Sequence, residues 1–539
     1  MATGITEQSP LIRGNDGHRD EPEELHRHLS LFDLVCIGVG ATVGSGVFVL
    51  VGLIAHTSAG PAVFLSWGIA GIAALASGLC YAELGGRFPA SGSSYLYAKE
   101  TMGELASVIA AACLTLEYTG SASAVARSWG DKVVEYIRSR DSESILISIL
   151  DPGLGINPCA FLVSLASVLL LLEGVKESKS VTNFFSSLNV SLVFFMALMS
   201  MILAKRENLT PLIPPEFGAS GVLRGATSSF FGYIGFDEIC CVSGEAKNPS
   251  KNVPRAIILT LIIVTSLYIS ASLGLAGMVP YQEISETSGF PNGFRYVGLN
   301  WAAEITALGE LTVLPLVVLV TIMAQPRLCY AMSVDGLLPS IFTEMDSSGN
   351  LREGTRIVGT VMVVIATLVP FSYLDDLISS GILLAFTMTD VSVILVRQAS
   401  PTDNSVLALE KKVVAFNILS FVTGLLLRNC YSNDITSTWI QALTIMSCAS
   451  TFLVGYKIQT HCKWTSKSNE QSTGLFLTPF VPMLPLIGCF VNLYLIAQLE
   501  MSGLVAIIGY VGVFIGFYII HVQTRATSRN ETERMLSMH

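Results

Sequence analysis

Long apolar runs, separated by short polar segments, make up most of this sequence. A helix needs about 20 consecutive apolar residues to cross the hydrocarbon core of a bilayer. By that measure, fourteen segments are predicted to span a membrane. They lie near residues 31–55, 61–80, 105–127, 160–173, 182–203, 222–244, 256–279, 302–327, 355–371, 377–397, 412–427, 437–457, 474–497 and 501–522. The pattern therefore predicts an all-α polytopic membrane protein.

The composition narrows the class of protein further. Of the 539 residues, 51% are hydrophobic and only 13% are charged, whereas soluble domains carry about 25% charged residues. This excludes a soluble multidomain enzyme, and the net charge of −10 argues against a nucleic-acid-binding protein. The eleven cysteines form no C-x-x-C pair and lie mostly in apolar runs. We therefore predict no metal site, no cofactor and no disulfide framework.

The distribution of lysine and arginine predicts the orientation. With fourteen spans and a cytosolic N-terminus, only nine of the 31 basic residues fall on the far side of the membrane, as the positive-inside rule requires. Both termini are thus expected in the cytosol. The tails, 1–30 and 523–539, and the loops are too short for a soluble catalytic domain, so we expect the function to lie within the membrane.

Two predicted spans contain glycine clusters that a continuous helix does not need. The first carries Gly38, Gly40, Gly44 and Gly46, and the sixth contains the segment 228–237. Each glycine inside a helix costs about 1 kcal/mol. The clusters indicate either close helix packing or unwound segments whose free backbone groups hold a ligand.

The positions of these clusters favour unwound segments. They occupy the first spans of two successive five-helix halves, and both begin with Gly-Ala-Thr, at 40–42 and 225–227. Interrupted helices at matching places in two halves point to a transporter's binding site. A half-helix beginning at Ser45 and Gly46 would attract a carboxylate, and carbonyl groups between Phe230 and Ile234 would accept hydrogen bonds from an ammonium. Together these describe the backbone of an amino acid.

Several motifs occur in a fixed order along the chain. They are GVGATVGSGVF at 38–48, YAELGGRFPASGSSY at 81–95, LEY at 116–118, KES at 176–178, FGYIGFD at 231–237, KNP at 247–249, QPR at 325–327 and DGLLP at 335–339. In these motifs the sequence resembles the amino acid–polyamine–organocation transporters, and within them the plant cationic amino acid transporters with fourteen spans. The resemblance is strong over residues 28–397 and moderate over 475–522.

The resemblance implies a leucine-transporter-like fold of two inverted five-helix repeats. The first repeat would span 31–203 and the second 204–397, with four additional helices in 398–522. It also implies a substrate site of ten residues. The residues are Thr42, Gly44, Ser45 and Gly46 for the carboxylate, the backbone of Phe231, Gly232 and Ile234 for the ammonium, and Glu117, Asp237 and Thr321 around the side chain. The Phe231 ring would close over the substrate as a gate.

Glu117 is expected to attract a guanidinium or ammonium group. An ionised side chain at the centre of a bilayer costs at least about 2.5–3.5 kcal/mol, so such residues are functional candidates. The alternatives are an internal ion pair with Arg127 or a hydrogen bond to another helix.

Departures from the family pattern bear on coupling and substrate. Asn189 stands where proton-coupled bacterial relatives carry lysine, which favours uniport driven by the membrane potential. The eighth span and the tenth span contain further unusual residues. These are Glu310, Pro315, Val320, Thr321 and Asp390. They either shift selectivity toward smaller neutral amino acids or reduce activity.

We therefore expect a secondary transporter of amino acids, cationic ones such as arginine and lysine by resemblance, working by alternating access. A carrier of neutral amino acids or polyamines and a non-transporting sensor are the alternatives. The N-terminal tail carries Glu7, Leu11 and Ile12 in the spacing of an acidic dileucine signal, which adaptor complexes bind. Plant relatives with such a signal are vacuolar, so we expect the vacuole membrane, with the plasma membrane as the alternative.

Overall fold

The computed structural model of this chain is α-helical throughout the part that it describes. Two isolated β-bridges, Leu29 with Ala246 and Gln398 with Trp464, are the β-structure in that part. The described residues are 27–44, 46–90, 92–140, 145–152, 155–173, 179–286, 288–346, 350–399, 402–432, 438–461, 464, 475–499 and 501–537.

Twenty-one α-helices are assigned within the described residues. The first eleven are α1 Leu31–Thr42, α2 Val51–Ile54, α3 Val63–Arg87, α4 Ser94–Met102, α5 Glu104–Thr115, α6 Ser121–Arg140, α7 Ile145–Leu150, α8 Pro158–Leu172, α9 Lys179–Ile202, α10 Gly218–Phe230 and α11 Glu238–Cys241. The others are α12 Pro249–Met278, α13 Gly289–Tyr296, α14 Asn300–Ile322, α15 Ala324–Val334, α16 Arg352–Leu368, α17 Phe371–Val396, α18 Asp403–Ser432, α19 Thr438–Gln459, α20 Met483–Gln498 and α21 Met501–Ser537.

Nine helical segments in the described part are long and apolar enough to cross a membrane. They are Gly46–Arg87, Glu104–Arg138, Thr182–Ile202, Pro249–Met278, Asn300–Val334, Leu377–Val396, Asn404–Cys430, Thr438–Gln459 and Met501–Gln523. Three shorter apolar helices, Leu31–Thr42, Pro158–Leu172 and Met483–Gln498, accompany them. The all-α polytopic class predicted from the sequence is confirmed.

The first predicted span is broken after α1. Ser30 caps the start of α1, accepting a hydrogen bond from the Asp33 amide at 3.3 Å while the Ser30 amide donates to the Asp33 carboxylate at 2.8 Å. The helix ends at Thr42, where Val43 adopts the non-helical angles φ −81° and ψ 88°. Helical structure resumes at Gly46 as a π-helical turn that leads into α2. The interruption therefore lies at the predicted glycine cluster.

A second break separates α10 from α11. A short 3₁₀ turn, Phe231–Tyr233, is followed by Ile234 in an extended conformation, and Gly235 has φ +108°. A Cβ atom on Gly235 would lie 2.8 Å from the carbonyl carbon of Ala41, so both the backbone angle and the contact with α1 require glycine. The two breaks thus lie against each other.

The helices around the breaks form the core, and the later helices pack on one side of it. Helix α3 packs against α10 and α12, α12 also packs against α9, and α14 packs against α6. Helices α18, α19 and α20 pack together, and α20 joins them to α17. Phe452 on α19 is 73% exposed, as expected for a surface that faces lipid tails. The two helix breaks therefore lie in the core, away from this outer layer.

The last predicted span, 501–522, agrees with the candidate span Met501–Gln523, but the helix that contains it, α21, continues to Ser537. Residues 523–537 contain neither glycine nor proline, so no residue there terminates the helix. The change of polarity marks the end of the apolar run but not the end of the helix.

Candidate substrate site between two helix breaks

A small cavity lies where the two breaks meet α6 and α14. Four polypeptide segments line it. The lining residues are Ala41, Thr42, Gly44, Gly46, Ser121, Val125, Phe231, Ile234, Glu238, Val317 and Thr321. The cavity volume of about 20 Å³ is close to the space that one water molecule needs. The cavity is therefore too small for a ligand larger than water, which could enter only after the helices move apart.

Side chains from other helices hold the first break in place. Asn189 on α9 donates a hydrogen bond to the Val43 carbonyl at 2.5 Å, and the Tyr268 hydroxyl on α12 donates to the Thr42 carbonyl at 3.0 Å. The Thr42 hydroxyl in turn donates to the Gly38 carbonyl at 2.7 Å. These bonds replace the intrahelical partners that the last carbonyls of a helix lack.

After the first break, the backbone N–H groups of the next helical segment are available as hydrogen-bond donors. The first N–H groups of a helix have no intrahelical partner and carry partial positive charge. The helical segment that begins at Gly46 reaches the cavity there, which suits it to an anionic group. Thr42 and Gly44 line the same cavity. Ser45, the fourth residue predicted for the carboxylate, lies outside the described residues.

Aromatic side chains fix the second break from behind. The Tyr233 hydroxyl donates to the Trp67 carbonyl at 2.8 Å, and the Trp67 ring lies 4.7 Å from the Tyr268 ring, centroid to centroid. A Cβ atom on Gly232 would lie 2.5 Å from the Trp67 ring. Gly232 is thus wedged between the rings and the first break, while Phe231 and Ile234 line the cavity.

Three buried carboxyl groups lie beside the second break. Asp237 accepts a hydrogen bond from the Tyr118 hydroxyl at 2.9 Å. Glu117 lies close to Asp237 and to the Gly235 amide, although neither of its oxygens makes a hydrogen bond of normal geometry. Glu117 and Asp237 do not reach the cavity surface, whereas Glu238 does.

Sequence analysis did not single out Glu238. It is 2% exposed and begins α11 directly after the break. The signal that identifies it is an acidic residue next to a predicted helix interruption, where the chain becomes helical again beside the cavity. The sequence alone does not show which residue follows the break in the cavity wall.

The alternative proposed for Glu117, an ion pair with Arg127, is absent from the described part of the structure. Arg127 donates instead to the carbonyls of Gly155, at 2.9 Å, and Thr367, at 3.1 Å. Its Nε atom lies 3.8 Å from Asp131. Arg127 therefore joins loop and helix ends away from the cavity.

The unusual residues of the eighth and tenth spans occupy different places. Glu310 forms an ion pair with Lys132 at 2.5 Å, with 2% and 7% of the side chains exposed. Thr321 lines the cavity, together with Val317 rather than Val320. Pro315 lies inside α14, less than one turn before Val317. The chain therefore keeps α14 helical through its proline.

Asp390 on α17 is also separate from the cavity. Its carboxylate accepts hydrogen bonds from the Ser77 hydroxyl at 2.9 Å and from the Asn492 amide at 3.2 Å. Since Asn492 lies on α20, this cluster joins the core to the outer layer of helices.

Contacts at the start of α1 close the bundle at that end. The Glu245 carboxylate lies 2.8 Å from the Arg327 guanidinium. Backbone hydrogen bonds join the same segment to the chain before α1: the Leu29 amide donates to the Glu245 carbonyl at 2.9 Å, and the Lys247 amide donates to the Leu29 carbonyl at 2.8 Å. These bonds must break for the site to open toward this end.

Comparison with known proteins places this arrangement in context. The family model described as amino acid permease matches residues 29–454. The vacuolar cationic amino acid transporter 4 of Arabidopsis thaliana is 32% identical, over 89% of this chain and 89% of its own. The methylthioribose transporter of Bacillus subtilis is 34% identical over 71% of this chain and 84% of its own. The branched-chain amino acid permease of the same species is 33% identical over 72% and 84%.

Proposed function

Because the chain belongs to the amino acid permease family, we propose that it is a secondary transporter of cationic amino acids, such as arginine and lysine, that works by alternating access. The observation that carries this proposal is the charge around the cavity. Three buried carboxyl groups lie at or just behind its wall, and no lysine or arginine is among its described lining residues. A cationic substrate would compensate that imbalance.

Different residues of the site bind different groups of the substrate. Thr42, Gly44, Ser45 and Gly46 bind the carboxylate. Backbone carbonyls of Phe231, Gly232 and Ile234 bind the α-ammonium, and the Phe231 ring closes over it. Thr321 lies beside the side chain at the cavity wall, with Glu117 and Asp237 directly behind that wall. The supporting observation is that Thr42, Gly44, Gly46, Phe231, Ile234 and Thr321 line one cavity.

The architecture that accompanies this function is two inverted repeats, 31–203 and 204–397, followed by additional helices in 398–522, with fourteen spans in total. The tails, 1–30 and 523–539, lie in the cytosol. Support comes from the two breaks, which begin matching halves of the chain and contact each other. Rocking of the helices that carry the breaks against α6 and α14 would open the cavity to each side in turn.

The coupling we propose is uniport driven by the membrane potential. Asn189 supports the first break through a neutral hydrogen bond to the Val43 carbonyl. A neutral amide keeps this bond at any pH, whereas a lysine there would gain or lose a charge. Transport would then need no proton.

The proposed location is the vacuole membrane, because the relative with the broadest coverage given above is named as vacuolar. Glu7, Leu11 and Ile12, outside the described residues, would bind an adaptor complex on the way there. The plasma membrane is the alternative.

A neutral amino acid is the second candidate substrate. Val125, Val317 and Ile234 supply an apolar part of the cavity wall, and one relative is named for branched-chain amino acids. This apolar wall would suit a short neutral side chain.

Uptake into liposomes containing the purified protein tests the proposal. A potassium gradient with valinomycin imposes an inside-negative potential without a pH gradient, and labelled arginine, glutamine, alanine and spermidine are compared. Arginine uptake that follows the potential supports the proposal. Uptake of glutamine or alanine without arginine supports the neutral alternative, uptake of spermidine alone indicates a polyamine carrier, and no uptake of any of the four indicates a sensor.

A further inference from the structure

Glu238 is the acidic side chain that reaches the described wall of the cavity. It begins α11, immediately after the break that Ile234 and Gly235 form. Its side chain is 2% exposed, and its Oε1 atom has no hydrogen-bond partner. A carboxylate in this position has lost most of its water without gaining a full set of donors, which is costly.

The described surroundings of Glu238 do not supply a cation. Arg327 is the basic residue that acts on it electrostatically, but the Arg327 guanidinium is bound to the Glu245 carboxylate at 2.8 Å and to the Met323 carbonyl at 2.8 Å. Asp237, the neighbour in sequence, adds negative charge. Thr321, which lines the cavity with Glu238, offers one hydroxyl.

The three carboxyl groups of the cluster differ in what they can reach. Asp237 is bound by the Tyr118 hydroxyl, and Glu117 is fully buried beside Asp237 and outside the cavity wall. Both lie behind the wall that Glu238 forms. A cationic group that enters the cavity would therefore meet Glu238 first, with Glu117 and Asp237 adding to the negative potential.

We propose that Glu238 binds the guanidinium or ammonium group at the end of the substrate side chain and thereby sets the preference for cationic over neutral amino acids. This inference rests on the proposed function, since it assigns the side-chain partner within that site. Glu117 then acts as a positioning residue, through Asp237 and the Gly235 amide. The Thr321 hydroxyl donates a hydrogen bond to Glu238 or accepts one from the substrate.

Arginine and citrulline give a direct test, because citrulline keeps the carbon chain of arginine and replaces its guanidinium with a neutral urea. The full-length protein and its variants are reconstituted in liposomes, and kcat/KM is measured for both amino acids. Glu238→Gln is expected to lower the arginine-over-citrulline ratio by at least about 10-fold, the equivalent of about 1.4 kcal/mol. The loss should appear mainly in the KM for arginine.

Three further variants separate charge from structure. Glu238→Asp keeps the carboxylate and should retain most of the preference for arginine. Asp390→Asn removes another buried carboxylate, one that Ser77 and Asn492 hold away from the cavity, and should leave the ratio unchanged. Glu117→Gln should change the ratio less than Glu238→Gln does.

The outcomes distinguish this inference from the function on which it rests. If the unmodified protein carries arginine in preference to citrulline and Glu238→Gln keeps that ratio, the inference is wrong while the proposed function stands. A larger loss in Glu117→Gln than in Glu238→Gln also overturns it. An unmodified protein that carries no cationic amino acid overturns both.

Equilibrium binding covers the case in which Glu238→Gln carries neither amino acid. Binding of arginine and of citrulline to the same purified preparation is measured by calorimetry. Selective loss of arginine binding supports the assignment, and equal loss of both overturns it.

Discussion

Replacing Gly46 by alanine tests the contact between the two helix breaks. A Cβ atom on Gly46 would lie 2.5 Å from the Cα atom of Gly232 and 3.3 Å from its amide nitrogen. Carbon atoms in contact normally lie about 3.5–4.0 Å apart, so the methyl group forces the breaks apart by about 1 Å. The obstacle is backbone, which cannot rotate away as a side chain can. Overpacking of this kind costs about 1–3 kcal/mol.

That cost persists through the proposed transport cycle, because the two breaks rock together against α6 and α14. A penalty of about 2 kcal/mol on the arrangement in which the breaks touch lowers its population roughly 30-fold relative to distorted arrangements. We therefore expect Gly46→Ala to lower kcat for every amino acid carried, whatever its side chain. The Tm of the purified protein in detergent should fall as well.

Two matched glycines serve as controls for this substitution. A Cβ atom on Gly44 would meet only side-chain atoms, Val317 Cγ1 at 3.1 Å and Val125 Cγ2 at 4.0 Å, and one on Gly516 would meet nothing within 4 Å. Gly44→Ala should therefore lower the Tm less than Gly46→Ala does. Gly516→Ala should keep uptake and raise the stability of its helix by up to about 1 kcal/mol. An unchanged Tm and unchanged uptake for Gly46→Ala would refute the contact as a part of the transport cycle.

Three further changes test the charges around the site. Glu310→Gln breaks the buried ion pair with Lys132, which should cost about 3–5 kcal/mol and lower the Tm. The double change Lys132→Met with Glu310→Leu should recover most of that loss. A single variant as stable as the double would contradict the pairing. Arg327→Gln removes the ion pair with Glu245 and should raise the rate at which a maleimide labels a cysteine introduced into α1. An unchanged labelling rate would show that this ion pair does not keep the α1 end of the bundle closed. Asn189→Lys should make uptake respond to an imposed pH gradient, and the same potential dependence as in the unmodified protein would argue against a coupling role.

The helix breaks could be predicted from the sequence because the glycines that indicate them lie at the breaks themselves. A cluster such as Gly44 and Gly46 costs helix stability wherever it occurs, so its presence in an apolar run indicates an interruption. The structure places the first break between Thr42 and Gly46. What supports the break could not be predicted, since Asn189 and Tyr268 lie 146 and 226 residues along the chain from the carbonyls that they bind.

The roles of the acidic residues were harder to predict for the same reason. The sequence shows Glu310 as an unusual charge within the eighth span. Its ion pair with Lys132 could not be predicted, because Lys132 lies 178 residues away along the chain. The sequence predicts Glu117 as a residue of the pocket, but its full burial beside Asp237, 120 residues along the chain, could not be predicted. The position of Glu238 in the cavity wall depends on the residue at which the helix resumes after the break. A pattern of hydrophobicity predicts such boundaries only within a few residues.

The charged residues of the described core fall into two groups, and this division bears on mechanism. Glu83 is bound by Arg397 at 3.2 Å and by the Thr478 amide at 2.7 Å, and Glu245 with Arg327 and Glu310 with Lys132 are further ion pairs. These contacts join helix ends and hold the closed structure.

The second group lies at the cavity and lacks such partners. Glu117, Asp237 and Glu238 form no ion pair with a described lysine or arginine, and each has an oxygen without a hydrogen bond. Asp390 also has no described cation, but hydroxyl and amide donors bind it away from the cavity. A permanent cation beside the cavity would compete with a cationic substrate in every transport cycle. Under the proposed function, carboxyl groups without a resident cation would let a cationic substrate supply the compensating charge on entry and remove it on release.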